Sequence, residues 1–264
     1  MPTLEARGVE LAWSARGEGA PVLLVHETAA SSTVWKPVTE AVAEEAWAIS
    51  YDRRGWGASG TPDEYRRTTV EEQSEDAARL IESIEAGAAV ACGAGVGAVV
   101  ALDLALRRPE LVAGLLLIEP PLLQLLPEAT EALSEDRNRL ETAAAAGESP
   151  IGLYLSGGLP ALGAGVSRLP EGTLAVARER TASVVAELGL ASSWRLPLPR
   201  LAETETPSAV VTAPSTPPLL RDAAMALAGR LPRSTTVEVN AGPHPPHLGA
   251  PAEVAAIATD LARR

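Results

Sequence analysis

The run Ala91-Cys92-Gly93-Ala94-Gly95-Val96-Gly97-Ala98 closes an apolar stretch and opens a helical one. That is the layout of a sharp strand-to-helix turn, which in many enzymes lifts a nucleophile into a cleft. The apex here is Gly95, which has no side chain to attack with. Cys92, the only cysteine, lies earlier in the apolar run, where burial raises a thiol pKa and leaves it inert. Chemistry at such a turn falls to groups that bind or move protons. The chain has only three histidines, His26, His244 and His247, and acidic residues end two apolar runs, Glu27 after LLVH and Glu119 after LLLI.

The elements that must position these groups follow from periodicity. Short β-type runs alternate with longer helical patterns, the signature of an α/β fold whose sheet is parallel across most of its width and flanked by helices. Strands are predicted at 9–14, 22–26, 47–51, 88–92, 112–118, 209–212 and 235–239, and helices at 34–44, 70–85, 96–107, 217–230 and 252–261. Thr68-Thr69-Val70-Glu71-Glu72 is close to a capping box, and Pro251 suits a first helical position. Between 119 and 201 the alternation lapses into helical pieces and the stretch YLSGGLPALGAGVSRLP. The chain is therefore divided into a core, 1–118 with 202–264, and an insertion, 119–201, expected to cap the carboxyl edge of the sheet, where open α/β sheets bind ligands.

Composition narrows the function. Lys+Arg 22 against Asp+Glu 34 gives a net charge of -12, which disfavours nucleic acid and anionic lipid as partners. One cysteine excludes an intramolecular disulfide framework, and the start MPTLEARGVELAW has neither a basic region nor a long apolar one, so a cytoplasmic location is expected. The longest apolar run, Leu111 to Ile118, is strand-sized and too short to cross a bilayer.

Over nearly its whole length the chain resembles the α/β-hydrolase family, in particular the cap-bearing branch of esterases, epoxide hydrolases, haloalkane dehalogenases and carbon–carbon bond hydrolases. The stretches that carry the resemblance are PVLLVHETAASSTVWKPV, AISYDRRGWGASG, TTVEEQSEDAARLIESI, CGAGVGAVVALDLALRRPELVAGLLLIEPP and GPHPPHLGAPAEVAAI. In that family the elbow reads G-x-nucleophile-x-G. Gly93 and Gly97 match the flanking glycines, and Gly95 stands at the nucleophile.

The resemblance implies His244 as the catalytic base, with Pro243 in place of the usual preceding glycine, and sends all three histidines to one end of the sheet. The family's G-x-x-D after the strand at 209–212 reads Ala213-Pro214-Ser215-Thr216, so the usual orienting acid is absent. Glu119 matches a second position used in some members, from which a carboxylate would hold His244 in one tautomer. His26 and His247 match packing positions; His26, Ala94, Gly95 and Tyr154 are also the expected substrate contacts. Backbone N–H groups of Thr28 and Val96 would polarise a carbonyl. The family's His-Gly after the second strand is His26-Glu27 here. An ionised Glu27 would repel a developing oxyanion, which argues against ordinary ester hydrolysis. In an apolar pocket its pKa would rise and it would donate or shuttle protons opposite His244.

The function expected from this set is cofactor-free acid–base chemistry on a small apolar carbonyl-type molecule by a lyase, isomerase, decarboxylase, cyclase or water-activating hydrolase, with catalytic groups His244, Glu119 and Glu27. The alternative is a non-catalytic, small-ligand-binding pseudo-hydrolase. A metal site from His26, Glu27, His244 and His247 is the third reading; the prolines of HPPH fix the backbone without aiming both rings inward, and no metal or cofactor is expected.

Overall fold

In β3 (Pro21–Val25), Leu23 and Val25 join one buried cluster while Val22 and Leu24 join another, as expected of a strand covered on both faces. The computed structural model, which describes residues 1–264, builds one sheet around this strand. Its eight strands are β1 (Thr3–Ala6), β2 (Val9–Arg16), β3, β4 (Trp47–Tyr51), β5 (Ala89–Ala94), β6 (Val112–Ile118), β7 (Ser208–Thr212) and β8 (Ser234–Glu238), in the order β1-β2-β4-β3-β5-β6-β7-β8. Strands β3 to β8 pair in parallel, and β1 and β2 run antiparallel at one edge. The sheet is thus mostly parallel, as the alternating pattern predicts. Strand β1 was not among the predicted strands, and β5 continues to Ala94, up to the turn.

On one face lie α1 (Lys36–Val42) and, near the C-terminus, α12 (Pro251–Ala262). The other face carries α2 (Val70–Ser83), α3 (Val96–Arg107) and α10 (Pro218–Ala228). The predicted cap forms at α2: Thr69 accepts the N–H of Glu72 at 3.1 Å. The helix predicted at 34–44 is divided into a 3₁₀ turn, Ser32–Trp35, and α1; Pro37, which lacks an N–H, sits in the first turn of α1. No helix is long and apolar enough to cross a membrane.

Between β6 and β7 the chain forms helices only: α4 (Ala129–Ala145), α5 (Pro150–Leu155), α6 (Glu171–Glu179), α7 (Thr181–Glu187), α8 (Leu190–Ser193) and α9 (Leu198–Glu203). Glu187 fastens this segment to the sheet. Its buried carboxylate takes two hydrogen bonds from Arg53 (2.6 and 3.0 Å), with others from Trp56 Nε1 (2.9 Å), Gln73 (3.1 Å) and Thr28 Oγ1 (2.7 Å). Arg53 also donates to the carbonyl of His26 at 2.8 Å, so a single buried ion pair joins the helical segment to the end of β3. The last short helix, α11 (Pro246–Gly249), carries His247 and leads into α12.

Candidate active site

The strand order reverses at β3, which lies between β4 and β5, and the crevice beyond such a switch point is where an open parallel sheet leaves room for a ligand. Glu27 and Thr28 follow β3, Gly95 and Val96 follow β5, Glu119 follows β6 and Thr216 follows β7. The α11 residue His247 comes from the loop after β8.

At the turn, Gly95 has φ 52 and ψ -123, a conformation that side-chain-bearing residues rarely adopt. Its N–H donates to the Ile118 carbonyl at 2.9 Å, tying the turn to β6. A Cβ on Gly97 would fall 2.2 Å from the Val25 carbonyl oxygen, so only glycine lets α3 start this close to the end of β3. A Cβ on Gly95 would lie 3.0 Å from Cβ of Glu27. The chain therefore carries a side chain at 27 against the very place where one at 95 would begin.

The space above the turn is a cavity of about 530 Å³, partly open to solvent, walled by Val96, Ile118, Tyr154, Leu162, Val166 and Leu169, with Ala94 and Gly95 at its base and Glu27, Thr28, Glu119 and His247 at its margins. The N–H groups of Thr28 and Val96 have no acceptor within the protein. Val96 is the first residue of α3, where four N–H groups lack helical partners and the helix dipole favours negative charge.

Glu27 Oε1 stands 3.2 Å from Nε2 of His247, close enough for an ion contact but off the line of a hydrogen bond. No hydrogen-bond partner satisfies either carboxylate oxygen of Glu27 or either ring nitrogen of His247. Buried polar groups in native proteins are nearly always satisfied, so these atoms set the Glu27–His247 contact apart from the other polar groups of the cavity. The His247 ring is fully buried against Trp35, with centroids 4.7 Å apart and planes tilted by 39°.

Burial alone would raise the Glu27 carboxyl. The charge and contact of His247, its own backbone N–H and the charge of Arg53 outweigh burial and bring it below the usual carboxylate range. The expected rise is therefore corrected: the neighbouring charges outweigh burial and shift Glu27 toward its ionised form. Burial raises Tyr154 and Cys92, which keeps the phenol and thiol protonated.

Three further expectations are corrected by position. His244 is exposed and absent from the cavity wall; its Nδ1 lies 3.5 Å from the Arg168 carbonyl. Prolines at 243, 245 and 246 restrict the backbone on both sides of it, and Arg168 holds its carbonyl at 2.8 Å, leaving the ring outside. Glu119 reaches the cavity but does not orient His244. Its carboxylate is occupied by Arg168 Nη1 (2.8 and 2.7 Å) and by Thr216 Oγ1 (2.5 Å). His26 does not reach the substrate space, because Nε2 accepts the N–H of Arg53 at 2.9 Å and Nδ1 lies 2.8 Å from the Glu27 carbonyl. Burial and the charge of Arg53 hold it well below the ordinary histidine pKa. The four residues weighed as metal ligands thus do not converge, and no cluster of three or more His, Cys, Asp or Glu has metal-binding geometry.

His247, read from the sequence as a packing residue, is the histidine that faces Glu27. The spacing of HPPH places two rings in one loop and does not say which turns inward. Arg168 and Glu187 carried no sequence signal at all, since each takes its importance from a partner far along the chain.

A profile of the Alpha/beta hydrolase family matches residues 22–257. An uncharacterized hydrolase, YraK of Bacillus subtilis (strain 168), is 36% identical over 124 residues, 47% of this chain and 46% of the relative. A putative carbamate hydrolase, RutD of Azorhizobium caulinodans, is 30% identical over 118 residues, 45% of this chain and 44% of the relative. The chain thus spans less than half the length of these curated relatives. Among solved structures, the enol-lactonase from Burkholderia xenovorans LB400 superposes with a TM-score of 0.75 at 18% identity, covering 100% of both chains, which is a likeness of fold.

Proposed function

We propose that this chain, which belongs to the Alpha/beta hydrolase family, is an enzyme that moves protons without forming a covalent intermediate, with Glu27 and His247 as its acid–base pair. The observation that carries this reading is the pair itself: a carboxylate and an imidazole, 3.2 Å apart and without hydrogen-bond partners, beside a turn whose apex has no side chain.

Charge decides which reaction suits the pair. If a hydroxyl attacked an ester here with Glu27 as a bystander, an oxyanion would grow beside a standing carboxylate, and the two would repel. If Glu27 itself takes the proton, it becomes neutral as negative charge builds on the carbonyl oxygen. One charge then moves across the site, toward the N–H groups of Thr28 and Val96 and the positive end of α3. His247 supports the ionised form of Glu27 before the transfer and is placed to exchange a proton with the intermediate. The walls are apolar, with few groups to hold water, so the proton comes from a carbon next to the carbonyl. It is then returned to another atom, or a bond beyond that carbon breaks. The substrate class is a small, mostly apolar carbonyl compound, and helices of 119–201 serve as the cap over it.

The test is α-hydrogen exchange in D₂O, followed by NMR across a panel of small ketones and β-substituted carbonyl compounds. Wild-type protein should incorporate deuterium into at least one of them, and Glu27→Gln should slow that exchange by about 10²–10⁴-fold, the range of general acid–base catalysis. Saturable binding without exchange would make the protein a ligand binder and overturn the enzymatic reading.

A further inference from the structure

A second, smaller cavity of about 330 Å³ adjoins the first and shares Val96, Pro121, Tyr154 and Leu162 with it as a common wall. It is partly open to solvent, and Leu123, Leu133 and Leu190 line it away from the shared wall. Besides the Tyr154 hydroxyl on the shared wall, two of its residues carry polar side chains, both committed elsewhere: Glu187 is taken up by Arg53, Trp56, Gln73 and Thr28, and the Ser192 hydroxyl donates to the Gly189 carbonyl at 3.0 Å. Beyond Tyr154 the wall is mostly apolar, and its polar side chains are already engaged. The two cavities divide the labour: polar groups without partners beside Gly95, and satisfied groups with aliphatic walls behind Tyr154.

We infer that this second chamber is a specificity pocket for an aliphatic arm of the substrate, so that the substrate class is a carbonyl compound bearing a hydrocarbon chain; this rests on the carbonyl being held beside Glu27 as proposed above. The arm passes Tyr154 and ends against Leu133, a half-buried residue of α4 that lines only the second chamber. A charged tail is disfavoured, since the one charged side chain of the chamber, Glu187, is already paired and nothing else there would offset the lost hydration of a charge.

Calorimetry with methyl ketones of increasing length, from butanone to a nonanone, tests the inference by binding alone. Affinity should tighten roughly fourfold per added methylene until the chamber is full, and then level off. Leu133→Trp, which fills the chamber, should abolish this dependence on length, whereas Leu133→Ala should move the plateau to longer chains. Affinity independent of chain length in the wild type, or a length dependence that survives Leu133→Trp with an unmoved plateau in Leu133→Ala, would overturn the inference. The same series on Glu27→Gln should keep its length dependence. A pocket that passes these tests in a protein that exchanges no α-hydrogen would preserve the chamber and remove the catalytic reading.

Discussion

At the scale of single residues, the two loop histidines separate the accounts. If His244 were the base, its replacement would end activity. The structure puts that ring in solvent and His247 beside Glu27. Expected outcomes follow for steady-state exchange assays: His247→Gln loses activity by about 10²-fold or more, and His244→Ala keeps it. His26 supplies a prediction about stability. Its folded pKa is depressed from 6.5 by burial and by Arg53, so the stability it contributes is complete above about pH 6.5 and is lost as the pH falls toward its folded value. Urea midpoints measured from neutral pH down to mildly acidic pH should decline more steeply for the wild type than for His26→Asn. Equal slopes would show that His26 is already protonated in the fold.

At the scale of elements, the turn between β5 and α3 holds its shape with a glycine at its apex, and β3 ends in a side chain that borders the space so left. Gly95→Ala should cost about 1–3 kcal/mol, because φ 52 is unfavourable for any residue with a Cβ and that Cβ would sit 3.0 Å from Glu27. Part of this cost should disappear in a Glu27→Gly background, a coupling that a double-mutant cycle in denaturant reads directly. Seven of the eight strands, the principal helices and this turn were legible in the sequence because each is a local pattern: apolar runs of strand length, a cap at Thr69, glycines at 93, 95 and 97. Which histidine faces inward was not legible, since it depends on how Arg168 and three prolines set the path of one loop. The partner of Glu119 was equally hidden: Arg168 lies 49 positions away in sequence.

At the scale of the molecule, Glu187 joins the helical segment to the sheet through one buried carboxylate, and removing it strands Arg53 in the interior. Glu187→Ala should lower stability by about 3–5 kcal/mol in urea denaturation, the range for breaking a buried ion pair at one partner, and should weaken ligand binding because Thr28 and the chamber wall lose the same anchor. The sheet, the turn and the helices of 119–201 together border a cleft, and no side chain projects into it from Gly95 at the turn. The measurement that addresses this most directly is the intact mass of the protein, recorded on samples quenched during turnover of an exchanging carbonyl compound and during incubation with a panel of chromogenic esters. An unmodified mass, with no burst of released alcohol, is the expected result. A stoichiometric acyl or alkyl adduct on any residue of the cleft would contradict the account.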